Sequence, residues 1–245
     1  MRILVAVKRV PITGGKMVLT DDEQAIQTRH LGFTISPHEE CGVEEAVRIV
    51  ETHGGEVVVI TLGPAEAEDQ LRECMALGAD RAIHLVTEEE WDAQATASAL
   101  LAVIREEAPF DLIVFGNESA DAGNYQVGIR VAYALGLPVV TGLKGLTIDD
   151  DRARCEQEVP GGRDVYDVSL PAVVTVSKLV APHVEAIACA REVRDEQALH
   201  TTVQVMSWFT TMGFVLHAVS IHPSEDELGP GVKVRVSAVP GKTPI

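Results

Sequence analysis

The segment Glu56–Leu77, EVVVITLGPAEAEDQLRECMAL, joins a short apolar run to an amphipathic stretch. Its first part, Glu56–Leu62, is rich in β-branched residues and continuously apolar, which is typical of a buried strand in a parallel sheet. The pair Gly63-Pro64 turns the chain, and the spacing of apolar residues then predicts a helix over Ala65–Leu77. A strand followed closely by a helix is the repeating unit of α/β folds.

The same unit recurs on both sides of this segment. Further buried strands are predicted at Arg2–Lys8, Arg81–Val86, Asp111–Phe115, Leu137–Thr141 and Pro171–Ser177. Further helices are predicted from Pro37, after the N-cap Ser36, to Gly54, and over Asp92–Glu107 and Gly123–Leu135. Because alternating strands and helices need right-handed crossovers, we expect a doubly wound α/β fold, with a mostly parallel sheet and helices on both faces.

One excursion interrupts the α/β pattern after Gly142. Gly145–Asp150, Arg152–Glu158 and Asp164–Val168 each resemble a strand, with a glycine pair between the last two. Short connections of this kind are typical of antiparallel hairpins. We therefore expect an antiparallel excursion at about residues 143–170.

The sequence changes character again after residue 180. Val184–Leu199 is a helix candidate of mixed quality, and the tail from Thr201 is predicted to be rich in loops because of pairs such as Gly229-Pro230. We expect two parts: an α/β domain at residues 1–180 and a C-terminal extension at residues 181–245.

The overall charge limits the classes of partner. The chain has 20 Lys and Arg against 37 Asp and Glu, which gives a formal net charge of −17. Nucleic acid would be repelled by this field, and no cluster of Lys and Arg offsets it. We therefore expect no nucleic-acid partner.

The apolar runs and the cysteines indicate the cellular compartment of the protein and bear on membrane insertion and metal binding. Met1–Val7 leads directly into a strand, and the longest apolar stretch, Val203–Ile221, is interrupted by polar residues, so no membrane insertion is expected. None of the four cysteines lies in a CxxC pair, so we expect no metal site, and Cys41 and Cys74 are predicted to be buried thiols. These features predict a cytoplasmic protein.

The chemistry is expected at the carboxyl ends of the strands, where open parallel sheets bind ligands. Three loops begin there: those after Lys8, after Leu62 and after Phe115. The last has glycines and small residues and opens a predicted helix, so its backbone amides could bind a phosphate. It is equally compatible with a simple capped turn. Because the chain has neither GxxxxGK[ST] nor a GxGxxG after the first strand, we expect amides and neutral side chains to hold the phosphate.

Catalytic motifs are missing from the sequence. It has no GxSxG elbow, no HExxH helix and no paired Cys/His arrangement, and we assign no catalytic residue. His38 falls in the first turn of a helix beside the predicted crevice and is the histidine of interest, although a lone histidine is more often structural. The pattern favours a carrier or binding module over a hydrolase or transferase.

Several segments, in order, resemble the β subunits of electron transfer flavoproteins. They are Met1–Pro11, Val43–Arg48, Gly63-Pro64, Leu71-Arg72, Ala76–His84, Gly116–Asp121, Gln126–Gly128 and Leu170–Val176. The resemblance covers roughly residues 1–180.

This resemblance implies a heterodimer with an α subunit that makes most of the FAD contacts. Electrons would come from flavin dehydrogenases, or in some branches from a ferredoxin or nicotinamide donor, and leave to a quinone oxidoreductase or another acceptor. The β subunit would bind AMP, or a second FAD as in electron-bifurcating relatives. The extension at residues 181–245 lies beyond the resemblance, and we expect it to contact a partner.

The resemblance also implies which residues contact the nucleotide. They are Ala6, Ser36, Pro37, His38, Glu39, Leu62, Gly116, Asn117, Glu118, Ser119, Ala120, Asp121, Ala122, Gly123, Asn124, Tyr125, Gln126 and Val127. Ala6 would leave room for an adenine, and the amides of Gly123 to Gln126 would bind phosphate. Asp121 would either bind a ribose hydroxyl or cap the following helix.

The chain departs from the family pattern at four places, one of which is the tail after Leu199, since it does not resemble the family's C-terminus. Ser36 stands where many members have Asn, and His38 where many have Phe near the flavin. Leu179–Arg194 has neither the Asn-Glu-Pro-Arg-like segment nor the lysine-rich helix that recognises partner dehydrogenases. The identity of the partners is therefore open, and two alternatives remain: a stand-alone module that binds or senses adenine nucleotides, and an enzyme of the related nucleotide-hydrolysing fold.

Overall fold

The computed structural model describes residues 1–12, 18–24, 26–177, 214–223 and 232–240. The chain divides into two compact units, Met1–Val180 and Ala181–Ile245. The strands of the first unit are β1 (Arg2–Ala6), β2 (Arg9–Pro11), β3 (Phe33–Ile35), β4 (Glu56–Gly63), β5 (Arg81–Val86), β6 (Leu112–Gly116), β7 (Val139–Asp149), β8 (Arg152–Val159), β9 (Gly162–Ser169) and β10 (Ala172–Val176). Its helices are α1 (Pro37–His53), α2 (Glu68–Leu77), α3 (Ala93–Glu107) and α4 (Val127–Leu135).

The first unit is built on an eight-stranded sheet of order β5-β4-β1-β6-β10-β7-β8-β9. β1 pairs in parallel with β4 on one side and β6 on the other, and β10 lies in parallel between β6 and β7. A separate pair, β2 and β3, forms a short antiparallel hairpin before α1. The predicted α/β fold with a mostly parallel sheet is confirmed.

Helices cover both faces of the sheet, as predicted. α1 and α2 pack against one face, and α3 and α4 against the other. The core on the α3–α4 side is apolar, with strand residues such as Leu4, Val58 and Ile113 packed against Leu100 and Ile104 of α3. Within the described part of the chain, no helix has the length and apolar character needed to cross a bilayer.

Helix α4 begins four residues later than predicted. The loop before it contains two residues with left-handed backbone, Gly123 with φ of 56° and Tyr125 with φ of 53°. Such a conformation cannot continue into a right-handed helix, so the first helical residue is Val127. The prediction of a helix from Gly123 is therefore wrong at its amino end. Similarly, a short 3₁₀ turn at Ala65–Ala67 precedes α2.

Strand β7 is continuous where two strands were predicted. It passes through Gly142, whose φ is 63°, and changes its pairing there. Its first part runs parallel to β10, and its second part runs antiparallel to β8, with register shifts in both ladders. Glycine allows this bulge because it adopts positive φ without a steric cost. The antiparallel excursion is confirmed and continues through β8 and β9 in the same sheet.

The second unit contains an antiparallel pair, β11 (Phe214–Pro223) and β12 (Val232–Pro240). The predicted loop-rich tail is therefore wrong over these two ranges. The alternation VKVRV at Val232–Val236 is a strand signal that the prediction overlooked. The predicted helix at Val184–Leu199 lies outside the described residues.

Cys41, Cys74 and Cys155 are buried, which agrees with the prediction for the first two. Burial raises the pKa of Cys74 to about 12 and that of Cys155 to about 11. These thiols therefore remain protonated at neutral pH and are poor nucleophiles.

Candidate functional site

The sheet changes its winding direction between β1 and β6. From β1 the chain proceeds outward through β4 to β5, and then crosses back to form β6 on the other side of β1. The loops after two such strands diverge, and the crevice between them is the usual ligand site of doubly wound sheets. We call this place the β1–β6 crevice. It is formed by Val7–Lys8 after β1, Ser36–Glu39 at the start of α1 and the loop Asn117–Gln126 after β6.

An ion pair crosses this crevice. The Lys8 ammonium lies 2.6 Å from the Asp121 Oδ2 atom, and Asp121 Oδ1 accepts a hydrogen bond of 2.7 Å from the Ala122 amide. Burial disfavours the Asp121 carboxylate, but hydrogen bonds from Lys8 and Ser119 outweigh burial and lower its pKa. Asp121 precedes α4 by six residues and does not cap it. Lys8 is a site residue that was not predicted from the sequence, although it lies just beyond β1.

Glu39 lies beneath the crevice and is only 6% exposed. Its Oε2 atom accepts hydrogen bonds from the Lys8 amide, at 2.7 Å, and from the Ser36 amide, at 3.3 Å. The second contact is the capping-box arrangement expected of Glu three residues after a helix N-cap. Burial raises the pKa of Glu39 to about 8, against the opposing effect of these two amides.

Two glycines allow close packing at the carboxyl end of β6. A Cβ atom on Gly116 would lie 2.7 Å from the Glu39 Cγ, so only glycine fits above this side chain. A Cβ atom on Gly128, in the first turn of α4, would lie 3.0 Å from Phe115 Cγ and Thr175 Cγ2. The amino end of α4 is therefore held close to β6 and β10, and its first-turn amides lack intrahelical acceptors.

The start of the loop is anchored to neighbouring strands. The Asn117 amide donates to the Val176 carbonyl at 2.8 Å, and Thr175 Oγ1 donates to Asn117 Oδ1 at 2.8 Å. Thr175 Oγ1 also accepts from the Gly142 amide at 2.9 Å. This network connects β6, β10 and the bulge of β7, which gives the loop a defined starting geometry.

His38 and Glu118 lie on the same side of the crevice. Ser36 Oγ donates to the Glu118 carbonyl at 3.3 Å. His38 Nδ1 is buried and has no hydrogen-bond partner among the described residues. Burial lowers the pKa of His38, the Glu118 carboxylate acts in the opposite direction, and Lys144 adds to the lowering. The imidazole is therefore expected to be neutral at pH 7.

The other residues predicted to contact the nucleotide fall into two groups, those with side chains in the core and those exposed to solvent. The side chains of Ala6, Leu62 and Val127 belong to or pack against the apolar core under α3 and α4, so they offer a ligand mainly their backbone. Residues with exposed positions are Pro37, Ala120, Ala122, Asn124, Tyr125 and Gln126. Gln126 accepts hydrogen bonds from Arg130, one turn into α4, through its Oε1 atom. Tyr125 interacts with Glu118, and this hydrogen bond raises the pKa of the phenol.

An open cleft of about 650 Å³ adjoins the loop on the β7–β8 side. Asn117 lines both the crevice and this cleft, together with Lys144, Gln157 and Ser177. The last three residues were not predicted from the sequence. Lys144 lies within β7, Gln157 within β8 and Ser177 directly after β10, and no local motif distinguishes them.

Comparison with known proteins identifies the family. The family model described as "Electron transfer flavoprotein domain" matches residues 25–206. The electron transfer flavoprotein subunit beta of Syntrophomonas wolfei is 38% identical over 176 residues, which cover 71% of this chain and 69% of that protein. The mitochondrial subunit beta of Arabidopsis thaliana is 33% identical over 208 residues, covering 83% of this chain and 82% of that protein.

A third relative is named for a complex with a reductase. It is the caffeyl-CoA reductase-Etf complex subunit CarD of Acetobacterium woodii, 34% identical over 183 residues, which cover 73% of this chain and 69% of CarD. The residues that the family model matches, 25–206, contain β3 to β10 and helices α1 to α4 of the first unit. The chain therefore belongs to the electron transfer flavoprotein family, among its β subunits, and shares the family's role in electron transfer.

Proposed function

We propose that this chain is the β subunit of a heterodimeric electron transfer flavoprotein and holds one AMP in the β1–β6 crevice. The α subunit would carry the FAD, which this chain would help to cover. The observation that carries the nucleotide assignment is the Lys8–Asp121 ion pair, because it puts a cationic group between two loops at the switch point of the sheet.

The residues of the crevice suit an adenylate. The first-turn amides of α4 offer donors to a phosphate, and the Lys8 ammonium would bind it by exchanging Asp121 for the phosphate. The buried Nδ1 atom of His38, which has no hydrogen-bond partner in the described part of the chain, is a further polar group at the same place. The small side chain of Ala6 belongs to the core, so the end of β1 would offer an adenine ring mainly its backbone. A second FAD has the same adenylate half, so it is the alternative ligand for the same residues.

The redox chemistry would be supplied by the FAD, which accepts and donates electrons when bound. The role of this chain would be to bind its own nucleotide, to keep the crevice ordered and to exclude water beside the α subunit. His38 is partly buried at the start of α1 and would place a neutral imidazole toward the flavin side.

We propose that the donors are flavin dehydrogenases and that the acceptor is a quinone oxidoreductase or another electron acceptor in the cytoplasm. The segment Leu179–Arg194 lacks the lysine-rich pattern of the family's usual partner-recognition loop. Donors other than acyl-CoA dehydrogenases are therefore part of the proposal. Residues 181–245 would form the partner-contacting extension.

Co-expression with an electron transfer flavoprotein α subunit of the same organism tests the heterodimer. We expect the two chains to purify together with a visible flavin spectrum that a donor flavin dehydrogenase bleaches on addition of its substrate. A chain that purifies alone, without flavin but with adenine nucleotide, would instead support a stand-alone nucleotide-binding module. Nucleotide turnover by the isolated chain would support a hydrolase.

A further inference from the structure

The side chain of Glu39 contacts three separate segments of the β1–β6 crevice. Its carboxylate accepts the amide of Lys8, which follows β1, and the amide of Ser36, which precedes α1. Its Cγ atom lies directly under Gly116 at the end of β6, in the space that a Cβ atom would need. One buried side chain therefore sets the relative positions of all three segments.

This geometry gives Glu39 a role other than direct ligand contact. The side chain is only 6% exposed, and both hydrogen bonds of its Oε2 atom go to backbone amides. The groups that face it from the packed elements are Lys8 after β1, Asp121 in the loop after β6 and Cys74 on α2. The Lys8 ammonium is paired with Asp121, so the positive charge nearest to Glu39 is largely neutralised.

Glu39 is therefore a buried acid with a high proton affinity. Burial raises its pKa to about 8, the amides and Lys8 act against this, and Asp121 adds to it. A further anion in the crevice acts in the same direction as Asp121, because nearby negative charge disfavours a carboxylate. A phosphate that attracts Lys8 away from Glu39 strengthens the same effect.

We propose, on the basis of the proposed nucleotide function, that Glu39 is the positioning residue of the β1–β6 crevice and takes up a proton when a nucleotide phosphate binds. The proton comes from solvent and binds a carboxylate oxygen of Glu39, while the phosphate binds at the Lys8 side. Nucleotide retention is thereby linked to pH in the slightly alkaline range.

Calorimetric titration of AMP into the full-length chain, freed of nucleotide at pH 8, tests this linkage. The apparent binding enthalpy is measured in two buffers with different ionisation enthalpies, and its dependence on the buffer gives the number of protons taken up. We expect wild type to take up as much as about half a proton per AMP at pH 8, since Glu39 is about half ionised there before binding.

Three variants separate the positioning role from the proton. Glu39→Gln keeps an oxygen acceptor for the amides but cannot titrate, so we expect similar AMP affinity with no buffer-dependent proton uptake. Glu39→Ala removes the acceptor and leaves two buried amides unpaired, so we expect the affinity to fall about tenfold or more. Glu40→Gln changes an exposed acid on the next position of α1 and is expected to behave as wild type.

Two results would overturn the inference while leaving the nucleotide site intact. One is AMP binding by wild type without proton uptake, and the other is undiminished uptake in Glu39→Gln. A wild-type chain that binds neither AMP nor FAD would overturn the proposed nucleotide function, and the inference with it.

Discussion

Lys8 and Asp121 are 113 residues apart in the sequence, yet their side chains form an ion pair of 2.6 Å across the β1–β6 crevice. The pair joins the loops on both sides of the point where the sheet reverses its winding. The chain has a net charge of −17, yet this pair places an ammonium group at the switch point, where doubly wound sheets usually bind their ligands.

Replacing Lys8 by Gln should weaken AMP binding by about tenfold or more, because it removes a charge-assisted hydrogen bond to the phosphate. The stability should change by less than about 1 kcal/mol, since the ion pair is partly exposed to solvent. Titration calorimetry with AMP measures the affinity. Arg72→Gln, which removes an exposed positive charge on α2, is the control and should leave the affinity unchanged. Equal affinities in both variants would contradict a role for Lys8 at the phosphate.

Gly116→Ala should destabilise the first unit by about 1–3 kcal/mol, because the new Cβ atom would overlap the Glu39 side chain. Denaturant unfolding of each variant gives the free energy. Gly162→Ala serves as the matched control, since a Cβ atom there would meet no described atom within 4 Å and its backbone needs no positive φ. If the two variants are equally stable, the close contact between Gly116 and Glu39 is not present in solution.

Gly123→Asp should release the nucleotide, because it adds a carboxylate to the loop proposed to face the phosphate and close to Glu118. The residue has positive φ, so the change also adds strain of about 1 kcal/mol. Gly136→Asp is matched in both respects, with a φ of 68° and the same added charge, but it lies at the far end of α4. Retained nucleotide is measured after gel filtration. Loss from both variants, or from neither, would mean that the loop is wrongly assigned.

The stability of wild type relative to Glu39→Gln should fall as the pH rises from 6 to 9. The pKa of Glu39 is about 8 in the folded protein, against 4.5 ordinarily, so the folded state binds this proton more tightly than the unfolded state. Stability from such a group is present at low pH and is lost as the pH rises to the folded value. The expected difference between pH 6 and pH 9 is on the order of 2 kcal/mol. If the difference in unfolding free energy between wild type and Glu39→Gln is the same at every pH, Glu39 does not have a raised pKa.

The regular elements were predictable because their signals are local. The apolar run at Glu56–Leu62 and the N-cap Ser36 before Pro37 each specify an element within a few residues. The errors occurred where backbone geometry depends on single residues with positive φ. The left-handed backbone of Tyr125 prevents the helix from beginning before Val127. The positive φ of Gly142 allows one strand to change its pairing partner without a break.

The arrangement of the site was only partly predictable. The strand-end rule identified the loops, and Ser36 with Glu39 three residues later is a visible capping-box pattern. Nothing local indicates that the same Glu39 also binds the Lys8 amide and packs under Gly116, or that Lys8 reaches Asp121. These contacts depend on the order of strands in the sheet, which is a property of the whole fold.

A denaturing extraction of the purified native complex tests directly whether this chain binds one AMP in the β1–β6 crevice. The extracted nucleotides are identified by mass and quantified by chromatography. We expect one FAD and one AMP per heterodimer, with AMP lost from the complex that carries Gly123→Asp and FAD retained. Two FAD and no AMP would assign a second flavin to the β1–β6 crevice. A complex without any nucleotide beyond the α-subunit FAD would contradict the claim that this chain binds one.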